Sequence, residues 1–383
     1  MTLTFWFRKY YFHLLATLIF VCFGKLVQQQ RNTVSYLNQR DVLPNKDVRS
    51  AEETKIGSII SKFLKDTKPS SEQLKQSESE IKPSSRQPIW NNPDENPDFF
   101  IPRKNIVNPM NFGLVTRPSG DCSKAPPFLT VLVLSLHEHA EYRQSIRDTW
   151  GSLAYNKPRP HANVSEKVMV TFLMGSSKDS TLNEKVKMEA EQTGDIVMYD
   201  FADSYFNLTY KVLLGFKWVR DYCPQSKFIL KVDEDTFVDI PQVIKRLHSP
   251  EWDDKISGSL CVGHSVFRTS KYAVIPSAYP FNIYPPHVKG NIYFMPTSIA
   301  VKLFNVSYYM PYVNMEDSFV TGILPKTIGD IKFKGLLSQS YSRNTVYKGC
   351  SFIHPPRVAS QGISPADARD IWRKMTDESI CRT

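Results

Sequence analysis

KFILKVDEDTFVD, residues 227–239, sets three acidic residues in a row, Asp233, Glu234 and Asp235, directly behind a short apolar run. Phe228, Ile229, Leu230 and, beyond Lys231, Val232 predict a buried strand. The end of a strand is where α/β folds place their chemistry. Two carboxylates one residue apart can face one hard cation. Mg²⁺ and Mn²⁺ take oxygen ligands and leave positions for substrate phosphates, so an ion here would neutralise a diphosphate. Asp-x-Asp alone equally describes a solvated loop; the strand in front and Phe237-Val238 behind favour a site.

Upstream of this stretch, strand and helix patterns alternate. FLTVLVLSL from Phe128 is nearly continuous in Val and Leu, as a strand covered on both faces requires. Glu138–Gly151 reads as a helix with Ile146 and Trp150 on one face. Val168–Met174 reads as a strand, Leu182–Gln192 as a helix, Asp195–Asp200 as a strand, and Leu208–Tyr222 as a helix with Leu208, Val212 and Gly215 on one side. The order predicts an α/β domain with a mostly parallel, Rossmann-like sheet flanked by helices. No GxGxxG follows the first strand and no Walker sequence is present, which disfavours a dinucleotide oxidoreductase or a P-loop NTPase.

The chain has 383 residues, 41% of them apolar, enough for a sizeable core. Its N-terminus reads differently. Tyr10–Gly24, YYFHLLATLIFVCFG, carries no Asp, Glu, Lys or Arg, and Lys25-Leu26-Val27 follow. The run is shorter than the roughly 20 residues of a typical span, but flanking aromatics and Lys can snorkel. KLVQQQR, residues 25–31, lacks the small residues of a cleavage site, so 10–27 reads as an uncleaved signal anchor with a cytosolic tail at 1–9. Residues 28–118, rich in Ser, Gln, Lys, Glu, Asn and Pro, read as a largely disordered stalk, with Phe99–Val115 packing on the domain at 119–383. Three sequons, at Asn163, Asn207 and Asn305, agree with a luminal domain. So do Cys122, Cys223, Cys261, Cys350 and Cys381, which form no CxxC pair and are free to make disulfides. The net charge of +10 is scattered and no nucleic-acid motif is present, so nucleic acid is not an expected partner.

Several residues can carry chemistry. Arg143 and Arg147, four apart, can share one helix face and hold ribose, uracil or phosphate oxygens, or can pair with Glu141 and Asp148 on a solvated helix. In Asp200–Lys211, Phe201, Tyr205 and Phe206 read as core, Asn207 or Thr209 as a helix cap, and Lys211 as a residue able to reach a phosphate. Glu316-Asp317, ahead of the apolar Phe319-Val320, is a second acidic pair; a carboxylate beside apolar residues can act as a general base, or can simply start a helix.

In this order, RxxIRxTW (Arg143–Trp150), FLMG (Phe172–Gly175), the Asp200–Lys211 block, GFKW (Gly215–Trp218), KVDEDTF (Lys231–Phe237) and EDSFVTG (Glu316–Gly322) resemble the β-1,3-galactosyltransferase family, which includes related β-1,3-N-acetylglucosaminyltransferases. The resemblance covers about Phe128 to Trp372. It implies a single-pass type II Golgi membrane protein with a stalk and a GT-A domain, using a UDP-sugar donor and a glycan acceptor on glycoprotein or glycolipid; the stalk and anchor leave room for a homodimer. It further implies Asp235 and Asp233 as Mn²⁺ ligands, with Arg143, Arg147, Lys211, Asp233 and Glu234 at the donor. Asp317 is implied as the base that takes the proton from the acceptor's 3-hydroxyl.

Two departures from the family pattern stand out. Tyr284–Tyr293, YPPHVKGNIY, lacks a cysteine and a glycine common in the family, and the sugar identity depends on that loop. Where many members have a histidine before an Ile-Ser-Pro helix start, this chain has Gln361, so the metal either takes Gln361 or uses His354, or has one ligand fewer.

Overall fold

The structure, a computed structural model, describes residue 92 and residues 95–381, apart from 121, 123, 156–163 and 343. The expected tail, the anchor at 10–27, most of the stalk and the sequon at Asn163 lie outside the described residues. No helix among the described residues is long and apolar enough to cross a membrane.

The strands are β1 (Leu114–Thr116), β2 (Leu129–Leu134), β3 (Val168–Ser176), β4 (Ile196–Ala202), β5 (Phe228–Asp233), β6 (Phe237–Val238), β7 (Lys255–Cys261), β8 (His287–Pro296), β9 (Lys332–Gly335) and β10 (Ala359–Ser360). All but β6 and β10 form one sheet in the order β1-β4-β3-β2-β5-β8-β7-β9, and those two pair with each other. Every residue of β2 is buried, as its unbroken apolar run requires. β2 pairs in parallel with both β3 and β5, with Leu134 opposite Leu173 on one side and Asp233 on the other. That register brings the loop after β2 beside the acidic triplet.

The sheet is mixed. β4-β3-β2-β5 is parallel as expected, whereas β1 on β4 and β8 on both β5 and β7 run antiparallel. The reversal has a local cause: no crossover helix precedes β8, and the chain enters it from the long 262–286 loop.

The helices used below are α1 (Ala140–Asp148), α2 (Ser180–Thr193), α3 (Leu208–Tyr222), α4 (Ile240–Leu247), α5 (Thr297–Ser307), α6 (Glu316–Ser318), α7 (Leu324–Ile328), α8 (Cys350–Ile353) and α9 (Pro365–Thr376). Caps set their ends. The Asp179 carboxylate accepts from the Thr181 N–H and Gly194 closes α2 in the left-handed region. Ser364 and Asp367 form a reciprocal capping box on α9, with Pro365 in its first turn. Apolar faces fill two cores. One gathers Leu132, Val212, Phe216, Trp218, Leu303 and Phe319; the other gathers Val131, Val133, Ile146, Phe172, Val243 and Ile371. Gly215 lets α3 lie against the sheet, because a Cβ there would stand 2.4 Å from the Leu173 side chain.

Two details differ from the sequence reading, both in the segment that opens α3. Ahead of residue 119, Phe100 and Met110 are core residues and β1 extends the sheet. Phe99–Val115 thus packs on the domain as expected, and β1 joins its edge. Phe201 is buried, but Tyr205 and Phe206 are 40% and 51% exposed, because they sit in the turn that opens α3 rather than on its inward face. Asn207 occupies the N-cap position of α3 without a capping bond; its amide nitrogen donates to Ala202 O at 2.8 Å, and Thr209 is buried on Val313 O. Asn305 is exposed near the end of α5. Disulfides join Cys122 to Cys223 and Cys350 to Cys381; Cys261 is in neither.

Candidate active site

β5 delivers the acidic triplet to a tight turn. The Thr236 N–H donates to Asp233 O at 3.0 Å, and Ile363 N–H donates to Asp235 O at 2.7 Å. The β6–β10 pair, with Phe237 opposite Ser360, brings Gln361 alongside the same turn. Each acid then does something different. Glu234 turns to the loop after β2, where it accepts from Ser135 Oγ at 2.6 Å and Leu136 N–H at 3.3 Å and pairs with His139 Nδ1. Burial raises its proton affinity against those partners. Asp233 faces a cavity and takes Lys231 Nζ at 2.7 Å. Asp235 has its carboxyl pushed up, first by burial and then by the charges of Asp233 and Glu234. A site of oxygen donors with surplus negative charge fits a hard divalent cation.

The cavity encloses about 700 Å³. Asp233, Lys231, Gly290, Glu316 and Asp317 line it, with Tyr205, Phe267 and Tyr272 among its aromatic residues. Asp317 is held by donors alone: Gly290 N–H meets Oδ2 at 3.1 Å, and the Ser318 N–H and hydroxyl meet Oδ1 at 2.7 and 3.3 Å. Gly290 is small enough for this approach; a Cβ there would stand 3.3 Å from the Asp317 and Glu316 side chains. α6 continues into a π turn, Phe319–Ile323, before α7, a local irregularity of the kind found at functional sites.

Beneath Asp233 lies a pair that sequence reading did not single out. Lys231 is buried, and its Nζ contacts Asp233, Gly290 O and, at 3.5 Å, Glu316 Oε2. Burial works against its charge, but Asp233 and Glu316 outweigh that and raise its proton affinity. Glu316 also accepts from Tyr293 OH at 2.6 Å. Burial, with the Asp317 charge and against Lys231, pushes its carboxyl up to about 7. The available signal was a lysine in the middle of a buried strand, which needs a partner.

A family model described as galactosyltransferase matches residues 141–334 of this chain. The chain belongs to the galactosyltransferase family. Its relatives include beta-1,3-galactosyltransferase 5 of Homo sapiens, 32% identical over 67% of this chain and 81% of that protein, and its Mus musculus counterpart, 33% identical over 67% and 82%. Beta-1,3-galactosyltransferase 1 of Mus musculus is 29% identical over 73% and 83%. A galactosyltransferase solved with donor and acceptor sugar analogues aligns at a TM-score of 0.30, 12% identity, 53% of this chain and 72% of that one, too loose to define a shared fold. The protein is a glycosyltransferase.

In this galactosyltransferase three residues expected at the donor make ion pairs within the protein. Arg143 is buried, with both ends of its guanidinium on Glu189 at 2.8 and 2.6 Å and further bonds to Ser135 Oγ and Leu136 O. Arg147 grips Asp195 at 2.7 and 2.9 Å and Glu189 at 2.8 Å, over the Phe172 ring. Their i,i+4 spacing serves helix packing, locking α1 to α2 and to the residue before β4. Lys211, 2% exposed, spends its ammonium on Asp203 at 2.8 Å and Ser135 O at 2.9 Å. Glu234, also expected to touch the donor, positions the β2–α1 loop. His354 is exposed at the end of α8; neither it nor Asp235 nor Gln361 is among the cavity's lining residues, and the strand register carries Gln361 beside the turn. Asp233 and Asp317 are brought together in one cavity as expected.

Proposed function

We propose that this enzyme transfers galactose from UDP-galactose to the 3-hydroxyl of an acceptor glycan with inversion, forming a β-1,3 linkage. In this reading it works as a GT-A enzyme in the Golgi lumen, anchored through residues 10–27. One observation carries the chemistry: Asp317, oriented only by donors, shares a cavity with Asp233. The names of the relatives support the sugar and the linkage.

Asp317 removes the proton from the acceptor hydroxyl as its oxygen forms a bond to the anomeric carbon, and the bond from that carbon to UDP breaks on the opposite face. The proton ends on Asp317, whose carboxylate the N–H groups of Gly290 and Ser318 hold in a fixed orientation. Lys231 and Glu316 fix Asp233 from below. Tyr205, Phe267 and Tyr272, all partly exposed, offer apolar ring faces to a sugar. Mn²⁺, held by Asp233 and Asp235 with Gln361 beside them, would supply charge neutralisation for the UDP leaving group.

The test is a donor and acceptor array with linkage analysis of the product. Mn²⁺-dependent β-1,3 transfer from UDP-galactose, abolished in D235A and D317N, is the expected result. Transfer from UDP-N-acetylglucosamine alone would overturn the choice of sugar, which depends on the altered Tyr284–Tyr293 loop. Equal activity in wild type and both variants would overturn the mechanism.

A further inference from the structure

A second set of metal-type donors lies where β7 leaves the sheet. Cys261, the last residue of β7, is paired across the sheet with His287, the first of β8. Past β7 the chain keeps its antiparallel pairing with the segment that enters β8: Gly263 bends it at φ 70°, a region that disfavours any residue with a Cβ, and beyond the bend Tyr284 N–H donates to His264 O at 2.9 Å, Ser265 bridges Ile283, and Val266 N–H donates to Asn282 O at 2.8 Å. Backbone bonds therefore fix His264 against the segment that leads to His287, whose ring lies 5.3 Å from that of His264. One ligand atom from each of Cys261, His264 and His287 lies within 4.8 Å of the others, the only such grouping of three His, Cys, Asp or Glu among the described residues.

We propose that Cys261, His264 and His287 bind a zinc ion, with the fourth position open toward the cavity that holds Asp317. Three features carry the assignment. The set of one sulfur and two imidazoles is borderline-soft and suits Zn²⁺, whereas the carboxylates of Asp233 and Asp235 suit a hard ion, so the two kinds of metal sort between two sites. His287 is prearranged: its Nδ1 lies 2.9 Å from Pro285 O, and since a carbonyl can only accept, Nδ1 carries the hydrogen and Nε2 the lone pair. A ring N–H given to a backbone carbonyl is the usual support for a metal-bound histidine. The third feature is access. Cys261 and His287 are buried, but His264 is half-buried and both histidines line the cavity, which gives an ion a path in and a vacant face for water.

Binding is a proton exchange as well. The Cys261 thiol, which donates to Ser259 O at 3.6 Å, gives its proton to solvent as the thiolate takes the metal. His287 Nε2 exchanges its 3.4 Å contact with Ser318 Oγ for the ion. The spacing Cys261-x-x-His264 is of the kind that zinc sites use, and neither disulfide competes for Cys261.

The experiment titrates the purified, detergent-solubilised full chain, stripped with chelator, with Co²⁺ alone. One equivalent is expected to give a thiolate-to-cobalt charge-transfer band together with the visible bands of a four-coordinate ion. Zn²⁺ should remove them stoichiometrically and Mn²⁺ should not. C261S should lose the charge-transfer band. H264Q, on the half-exposed loop, should weaken cobalt binding at least about tenfold, as loss of a ligand does when loss of mere outer support already costs 10–100-fold. Its unfolding temperature should stay at the wild-type value, so it remains informative if C261S fails to fold. D235A should leave the spectrum unchanged. Absence of the band in wild type, its survival in C261S, or an H264Q titration identical to wild type would overturn the site.

Discussion

Two charge clusters in this molecule are built on opposite principles. Between α1, α2 and the residue before β4, Arg143 and Arg147 meet Glu189 and Asp195, two cations to two anions, each engaged through several hydrogen bonds. Between β5, β8 and α6, the buried Lys231 stands among Asp233, Glu316 and Asp317, one cation to three carboxyl groups. The first cluster is neutralised internally and has no charge left for a ligand; the second keeps a surplus at a cavity. Burial raises the proton affinity of carboxylates in both places. In the first, the arginines outweigh it and hold Asp195 and Glu189 below the usual range, whereas in the second Glu316 rises to about 7. A charge that has been fully paired is architecture, and a charge left in excess beside open space is a site.

Substitution on each side should separate the two. D317N keeps the shape of the residue and removes its basicity. We expect kcat to fall on the order of 10²–10⁴-fold with an unchanged unfolding temperature, measured by UDP release with and without acceptor. R147A should do the reverse. It strands Asp195 and Glu189 as buried, partly unpaired carboxylates, which typically costs about 3–5 kcal/mol, while the folded fraction keeps a kcat near wild type. Urea unfolding reads the first effect and initial rates the second. An R147A enzyme of normal stability with a raised KM for UDP-galactose would break the comparison and return Arg147 to the donor.

The two clusters should also answer pH with opposite signs. Asp195 and Glu189 titrate below their ordinary values in the native state, so their contribution is full above the unfolded value and is lost as pH falls through the native one. Glu316 is the other case. Its native carboxyl keeps a proton up to about 7, against an ordinary value of 4.5, so the native state binds more protons in that window and stability falls as pH rises across it. Wild type should lose on the order of 1–3 kcal/mol of unfolding free energy between about pH 5 and about pH 8 from this group, and E316Q should lose correspondingly less. Equal slopes in the two proteins, by urea titration at both pH values, would contradict the assignment.

Much of this was legible in the chain. Unbroken apolar runs gave β2, β3 and β5, because strands covered on both faces need no alternation, and the helices between them carried their period. Asp233 and Asp317 were legible as well, as acids placed against apolar segments. The ion-pair partners of the arginines were not legible, because sequence spacing shows which residues share a helix face but not what that face meets; Glu189 and Asp195 lie more than 40 residues away from them in the chain. β8 was missed as an antiparallel strand because its partners are set by the 262–286 loop. The zinc-type donors were missed for a related reason: Cys261 and His264 are neighbours in sequence, but His287 joins them only through strand pairing.

The smallest expected effect concerns the last protein neighbour of the proposed Mn²⁺ and sharpens the line between the acidic turn and the surface behind it. β10 on β6 and the Ile363 N–H on Asp235 O carry Gln361 to the turn, whereas His354 ends α8 in solvent. An amide oxygen is a weaker ligand than an imidazole for most divalent ions, but a hard ion such as Mn²⁺ accepts it. In Gln361 that oxygen already accepts from Tyr341 OH at 3.1 Å, which orients the side chain and lowers the entropy lost on ligation. Q361A should therefore raise the Mn²⁺ concentration for half-maximal activity by several-fold, under about 1.4 kcal/mol, since in the proposed site two carboxylates would still hold the ion. H354A should leave it unchanged. Q361H, which installs an imidazole at a position the strand pairing already delivers, should lower it. A Q361A enzyme with wild-type Mn²⁺ dependence, together with an H354A enzyme that has lost it, would mean that α8 turns inward when the donor binds.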